Sequence, residues 1–187
     1  MANLPKGAVA LVDEAYYHFC DDPSYETALK HAVAGKDVIM CRTFSKVYGL
    51  AGLRVGYALC GSDDFRTAVD QVRQPFYLGA ATQAAAVEAL AHQDEVERRV
   101  TGTISARLAL EEGVRSLGLW VAESDANFIW LALPEDRSEP EVLPGLAERG
   151  VIVRAGASLG REGRLRVTVG TEAENARFVT ALAELVG

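Results

Sequence analysis

Three short apolar runs in the first third of the chain are each followed at once by a polar or turn residue. They are AVALV at 8–12, DVIMC at 37–41 and VGYALC at 55–60. Runs of this length and continuity are typical of strands that are covered on both faces. A polar stretch at 21–36, long enough for a helix, separates the first two runs. The pattern therefore favours an α/β layer with a mostly parallel sheet, in which ligands bind at the carboxyl ends of the strands.

Beyond residue 62 the hydrophobic pattern becomes helical. We predict helices at 63–73, at 80–91 and from about 96 to 117, and the alanine-rich second one is expected to be a tightly packed internal helix. The remainder is typical of a small α+β unit, with strands at 127–133, 151–154 and 164–169 and helices at 141–149 and after Thr171. Thr171 and Glu174 have the spacing of a capping box. We expect two domains, residues 1–93 and 94–187.

Charge and composition exclude several classes of protein. The chain has 19 Lys and Arg against 26 Asp and Glu, a net charge of −7, and no basic run, so a nucleic-acid binder is not expected. No apolar stretch approaches the ~20 residues of a membrane-spanning helix, and Met1 to Lys6 does not introduce a signal peptide. We therefore expect a cytoplasmic protein with no membrane partner.

The three cysteines argue against a disulfide framework and against a metal site. Cys20, Cys41 and Cys60 are odd in number, far apart, and not spaced with histidines as metal ligands are. Cys41 and Cys60 lie inside apolar runs, where we expect small buried side chains.

Two segments carry polar residues that a purely structural interpretation explains poorly. Asp13 follows the first predicted strand, where it is either a helix or turn cap or part of a site. Between the second and third strands, the segment from Thr43 to Arg54 holds two hydroxyls, Lys46, two glycines and an arginine. Hydroxyls and a guanidinium suit a phosphate. Burial and a neighbouring cation would lower the pKa of a lysine held between strands and make its amine nucleophilic; the alternative is an exposed loop lysine near a surface arginine.

A third segment, GRLRVTVG at 163–170, places Arg164 and Arg166 on one face of a predicted strand. Either they are solvated, or one of them binds a carboxylate. A lysine amine, a phosphate cradle, an aspartate and such an arginine are together what pyridoxal phosphate chemistry requires.

The chain resembles the fold-type I pyridoxal-phosphate aminotransferases, most closely the histidinol-phosphate aminotransferase branch. The motifs that carry the resemblance are LVDEAYYHF (11–19), RTFSKVYGLAGLRVGY (42–57), VRQPF (72–76), ANFIWL (126–131), GVIVRAG (150–156) and LRVTVGTEAEN (165–175). The resemblance implies part of the family's α/β large domain followed by its small C-terminal α+β domain.

The resemblance also implies a role for each matching residue. Lys46 would bond covalently to pyridoxal 5'-phosphate and move a proton, Asp13 would pair with the ring nitrogen, and Tyr16 would bind the phenolic oxygen. The phosphate would be held by Thr43, Ser45 and Arg54. On the substrate side, Arg166 would grip the carboxylate, Arg154 would face the far end, and Asn127 is either a site residue or a strand-edge cap. No metal is implied.

The implied reaction is amino transfer between an amino donor and an oxo-acid or oxo-phosphate, by a protein that is a homodimer at full length. Histidinol phosphate and aromatic amino acids both remain open as substrates, because Tyr77-Leu78-Gly79 replaces an Asn-containing stretch of this branch. A pyridoxal-phosphate-dependent amino-acid-phosphate decarboxylase of the same fold and a non-catalytic fragment are the alternatives. The resemblance covers about the C-terminal half of the family's chain, so we expect residues 1–187 alone to bind the cofactor poorly and not to transaminate.

Overall fold

A computed structural model describes residues 5–187. Residues 1–4, and with them most of the segment in which no signal peptide is expected, lie outside the described residues. The strands are β1 (Ala10–Asp13), β2 (Val38–Thr43), β3 (Gly56–Cys60), β4 (Phe128–Ala132), β5 (Arg154–Ala155) and β6 (Arg164–Thr168). The helices are α1 (Leu29–Val33), α2 (Asp63–Val72), α3 (Ala80–Ala91), α4 (Gln93–Arg115), α5 (Glu139–Glu148) and α6 (Glu172–Val186).

The chain divides into two compact units, Met1–Arg99 and Val100–Gly187, and the division falls inside α4. Helices of the described chain include none with both the length and the apolar character needed to cross a bilayer.

The first unit contains a three-stranded sheet in the order β1-β2-β3. β1 and β2 are parallel, with Asp13 opposite Cys41 at their carboxyl ends, whereas β2 and β3 are antiparallel. One face of β2 is buried through Val38 and Met40, which pack with Ala28 at the start of α1. The expected α/β layer is therefore present, but one of its two strand pairings is antiparallel, so within this chain the sheet is not mostly parallel.

The expectation that the first strand is buried on both faces is wrong. β1 is an edge strand whose residues are alternately half-buried and exposed, and Leu11 is 70% exposed. The same outer face of the sheet carries Cys41 and Cys60, which are only partly buried. The physical reason is that α1 covers the opposite face, since successive side chains of a strand point to opposite faces. All three cysteines are free thiols.

Helix α3 has the predicted bounds but not the predicted burial. Only Ala86 is buried in it, while Val87 is 70% and Leu90 is 46% exposed. Alanine gives this segment its high helix propensity, but burial depends on a covering surface. Ala86 itself packs under Phe44 and Val55. The expectation of an internal helix is therefore wrong for the described chain.

The second unit is a small α+β body with one large apolar core. Its sheet has the order β4-β6-β5 with antiparallel pairings, so β6 is central. Leu165 and Val167 of β6 point into the core, while Arg164 and Arg166 lie on the opposite, half-buried face. The strand expected at 151–154 is reduced to Arg154–Ala155, because only these two residues pair with β6.

Helix α6 begins with the predicted capping box. The hydroxyl of Thr171 accepts a hydrogen bond from the Glu174 backbone N–H at 3.3 Å and donates to the Glu174 carboxylate at 2.8 Å. Backbone and side-chain hydrogen bonds from Thr171 hold the pKa of Glu174 below its usual value. The helix then packs Phe178 and Leu182 into the core.

Replacing Thr171 by alanine is expected to lower the free energy of unfolding of the second unit by about 1 kcal/mol, because the first turn of α6 loses its cap. Urea unfolding followed by tryptophan fluorescence measures this, since Trp120 and Trp130 are the only two tryptophans of the chain. Thr171→Ser, which keeps the hydroxyl, is the control. Equal unfolding midpoints for the alanine variant and the unmodified chain would show that the cap contributes nothing.

Candidate functional site

The candidate site of the first unit lies where β1 and β2 end. Because these strands are parallel and in register, Asp13 and the residues after Arg42 are brought to the same edge of the sheet. Asp13 Oδ1 accepts a hydrogen bond from the Ala15 backbone N–H at 2.9 Å. The carboxylate is therefore a turn cap, as one interpretation of the sequence holds, and its side chain is exposed. A role in binding stays a prediction.

The turn after β2 gathers the predicted phosphate-binding groups. The Ser45 backbone N–H donates to the Thr43 hydroxyl at 3.0 Å, which folds the chain back on itself. Arg54 Nη1 lies 3.5 Å from the Ser45 hydroxyl and donates to the Ala51 carbonyl at 2.8 Å. Two hydroxyls and one guanidinium are thus adjacent and at least partly accessible.

Lys46 follows in the same turn and contacts Tyr16, another of the predicted site residues. Its Nζ lies 5.0 Å from the centre of the Tyr16 ring, within the range of a cation–π contact. The Lys46 carbonyl accepts from the Gly49 N–H at 2.9 Å, and Gly49 has a φ of 72° that favours glycine. Lys46 therefore directly follows Ser45, the residue whose hydroxyl lies beside the Arg54 guanidinium.

Arg54 has a backbone conformation that is uncommon for its residue type. Its φ of 53° and ψ of 50° are in the left-handed region, at the end of a short 3-10 turn over Ala51–Leu53. Residues other than glycine in this region are strained, and such strain is concentrated at functional sites. The chain then enters β3 at Gly56, where an added Cβ would lie 2.7 Å from the Arg42 carbonyl.

Beneath this edge lies a buried ion pair that the sequence analysis did not identify. Glu14 is only 2% exposed, and its Oε2 accepts from Arg42 Nε at 3.0 Å and lies 2.9 Å from Arg42 Nη2. The Thr27 hydroxyl and the Ala28 N–H also bind this carboxylate, at 2.9 and 2.6 Å. The sequence does contain a signal for this pair. Arg42 lies two and four positions after Met40 and Val38 in the same strand, so its side chain is on the same buried face of β2 and needs an acidic partner.

This network explains why the predicted helix at 21–36 is short. The Glu14 carboxylate binds the backbone at Ala28 and the side chain of Thr27, so residues 25–27 are not helical and α1 begins only at Leu29. The Tyr25 hydroxyl donates to Glu14 Oε1 at 3.2 Å. The Arg42 guanidinium also stacks 3.9 Å above the Tyr17 ring.

Ionisation of Glu14 is governed by two opposing effects. Burial raises the pKa of its carboxyl, but hydrogen bonds from the Ala28 backbone, Arg42 and Thr27 outweigh burial and hold the pKa below its usual value. Burial and the nearby Arg42 charge lower the pKa of His18, against the opposing influence of Glu14. The ion pair is therefore charged at neutral pH, and the neighbouring imidazole is neutral.

The donor set of the first unit fits a phosphorylated aldehyde that carries a ring nitrogen. Thr43, Ser45 and Arg54 match a phosphate, Lys46 supplies an amine, and the exposed Asp13 carboxylate is an acceptor for a protonated nitrogen. Within residues 5–187, no group of three or more His, Cys, Asp or Glu side chains is arranged to hold a metal ion.

The predicted substrate residues lie in the second unit. Arg154 of β5 is directly opposite Arg166 of β6. Arg154 is exposed and donates to the Ser158 hydroxyl at 3.2 Å, while the Arg166 guanidinium lies 5.2 Å from the Phe128 ring centre. The buried Nε of Arg166 has no hydrogen-bond partner among the residues described. Asn127 precedes β4, and its carbonyl accepts from the Val169 N–H at 2.9 Å.

Comparison with known proteins identifies relatives over the whole chain. Residues 1–182 match the family described as aminotransferase class I and II. A histidinol-phosphate aminotransferase from Moorella thermoacetica is 37% identical over 187 residues, which are 100% of this chain and 48% of that protein. An aromatic amino acid aminotransferase from Cutibacterium acnes is 34% identical over 189 residues, 100% of this chain and 51% of that protein.

A solved structure shows the same fold. Histidinol-phosphate aminotransferase from Sinorhizobium meliloti, in complex with pyridoxal-5'-phosphate, superposes with a TM-score of 0.83 at 26% identity. The match covers 98% of this chain and 50% of that chain. The fold-type I resemblance is confirmed, and the chain spans about half the length of the curated relatives it matches.

The pH dependence of stability tests the Glu14 ion pair. Because the folded pKa of Glu14 is below its ordinary value of 4.5, its stabilisation is complete above that value and is lost as the pH falls through the folded pKa. Glu14→Gln is expected to lower the free energy of unfolding of the first unit at pH 7 by roughly 3 kcal/mol, because the Arg42 charge is left buried. The variant should also lose less stability on acidification.

Tyrosine near-ultraviolet circular dichroism during denaturant titrations at several pH values is the measurement, since all six tyrosines precede residue 78. Glu26→Gln, which removes an exposed ion pair with Lys30, is the control and should change little. Parallel pH profiles for Glu14→Gln and the unmodified chain would rule out this contribution.

Proposed function

We propose that this chain, which belongs to the aminotransferase class I and II family, provides the lysine and phosphate-binding part of a pyridoxal-phosphate-dependent aminotransferase. The observation that carries the proposal is the cluster of the first unit, in which Lys46 contacts Tyr16 while Arg54 lies beside Ser45. An amine next to phosphate-type donors is the combination needed to hold a phosphorylated aldehyde at both ends.

Each residue of the cluster has a distinct task in this proposal. Thr43, Ser45 and Arg54 hold the phosphate, and Lys46 holds the aldehyde carbon. Asp13 keeps the ring nitrogen protonated, and Tyr16 donates a hydrogen bond to the phenolic oxygen. When bound, pyridoxal phosphate supplies a ring that takes up the electron pair left when a proton leaves the substrate Cα. The Lys46 Nζ would accept that proton and return it.

The substrate side of the proposal rests on the second unit. Arg166 binds the substrate carboxylate or the group that replaces it, Arg154 faces the far end of the substrate, and Asn127 lies near the site. The unpartnered Nε of Arg166 and the adjacent Arg154 favour an anionic ligand. Histidinol phosphate and aromatic amino acids are the proposed substrates, in keeping with relatives of both kinds.

For the full-length protein, the proposal also covers its small-molecule partners, its oligomeric state and its cellular compartment. An amino donor such as glutamate and an oxo-acid or oxo-phosphate acceptor are its small-molecule partners, and a cytoplasmic homodimer is its form. Free thiols at all three cysteines suit a reducing compartment. In the full-length protein, amino transfer to 2-oxoglutarate supports transamination, whereas release of CO2 would favour the decarboxylase alternative.

Borohydride trapping tests the proposal on the chain itself. The chain is incubated with pyridoxal phosphate, reduced and mapped by mass spectrometry, with Lys6, Lys30 and Lys36 as internal controls. Lys46 is expected to carry most of the label. Arg54→Ala should lower the Lys46 share by about tenfold, because a charged hydrogen bond to the phosphate is lost.

The matched control replaces pyridoxal phosphate by pyridoxal, which lacks the phosphate. Labelling of Lys46 by pyridoxal should be weak and unchanged by Arg54→Ala. A label spread evenly over the four lysines would overturn the assignment of Lys46. An unchanged total amount of trapped cofactor in Lys46→Ala would overturn it as well.

A further inference from the structure

We propose that Glu14 and Arg42 are positioning residues, whose buried ion pair holds the Lys46 amine and the Asp13 carboxylate in the geometry of the proposed site. The identity of the group that the site binds is taken from the proposed function, on which this inference rests. It assigns a task to two residues that the cofactor and substrate roles above leave unused.

Glu14 is fully buried, and 12% of the Arg42 side chain is exposed. The Glu14 carboxylate receives hydrogen bonds from Arg42, Thr27, Ala28 and Tyr25 at 2.6–3.2 Å. Arg42 Nη2 also donates to the Thr27 hydroxyl at 3.0 Å, so this hydroxyl both accepts and donates. A network of this kind has one geometry, because any displacement leaves a buried charge without a partner.

The ion pair is attached to the ends of β1 and β2. Glu14 follows Asp13, and Arg42 precedes Thr43, so each member of the pair is covalently next to a proposed site residue. The Glu14 backbone N–H donates to the Cys41 carbonyl at 2.9 Å, extending the β1–β2 ladder to this point. Successive side chains alternate in direction, so the pair lies on the α1 side of the sheet, opposite Asp13 and Cys41.

The pair is linked to Lys46 through the turn that carries Tyr16 and Tyr17. The Glu14 carbonyl accepts from the Tyr17 N–H at 3.2 Å, which closes the turn that carries Tyr16. The Tyr17 ring lies under the Arg42 guanidinium, and the Tyr16 ring lies 5.0 Å from Lys46 Nζ. Loss of the Glu14 carboxylate leaves these backbone bonds in place, but it removes the partner that holds the Arg42 guanidinium over the Tyr17 ring, next to Tyr16 in the chain.

The experiment measures the reactivity of each lysine without any cofactor. The purified chain is labelled with trace acetic anhydride, and the labelling rate of Lys46 is compared by mass spectrometry with those of Lys6 and Lys36. Glu14→Gln keeps the size of the side chain but removes the charge that pairs with Arg42. We expect the Lys46 rate to rise about fivefold relative to Lys6 and Lys36, as for the loss of the cation–π contact with the Tyr16 ring.

Two further variants make the result specific. Arg42→Lys keeps the buried positive charge but loses the planar fork, and it should give a smaller rise at Lys46 alone. Glu111→Gln is the matched control in the second unit, where Glu111 is 4% exposed and pairs with Arg115 at 3.0 Å. It should leave the Lys46 rate unchanged.

A purely structural role would raise the rates of Lys36 and Lys46 together, and that outcome in either variant overturns the proposal. If Glu14→Gln loses its tyrosine circular dichroism, Arg42→Lys decides by the same criterion. Because no pyridoxal phosphate is used, failure of the trapping experiment overturns the proposed function without affecting this result. Unchanged labelling with successful trapping overturns the positioning role alone.

Discussion

The first unit depends on a charged pair buried under the end of its sheet. Glu14 and Arg42 join the end of β1, the residues before α1 and the end of β2, beside the small apolar cluster of Ala28, Val38 and Met40. Burying two charges is favourable only when every hydrogen bond is made, and the Thr27 hydroxyl and the Ala28 N–H complete the set. The requirement for complete bonding gives the corner one geometry.

The two units contribute different chemistry and are built differently. The first carries an amine and phosphate-type donors on a small sheet, with apolar side chains such as Leu11, Val87 and Phe76 exposed. The second has a single large apolar core beneath a sheet whose other face presents Arg154 and Arg166. The curated relatives are about twice as long as this chain. Its own residues therefore account for one part of the proposed reaction.

Local features were predictable because their causes are local. The bounds of α3 follow from the helix propensity of alanine, and the start of α6 follows from the spacing of Thr171 and Glu174. The cluster at Thr43–Arg54 was predictable because its groups lie within twelve residues. Burial was not predictable in the same way, as Leu11 and Val87 show, because it depends on whether another element covers a face.

The sequence by itself determined which groups are available, namely one lysine among hydroxyls and an arginine, and an aspartate at a strand end. Only the tertiary structure decided that Glu14, and not Asp13, is the buried carboxylate, and that its partner is Arg42, 28 positions away. It also decided that Arg54 takes a left-handed conformation beside Ser45. The physical reason is that residue types and their spacing are properties of the local sequence. Whether a charged side chain is buried depends on which distant segments pack around it.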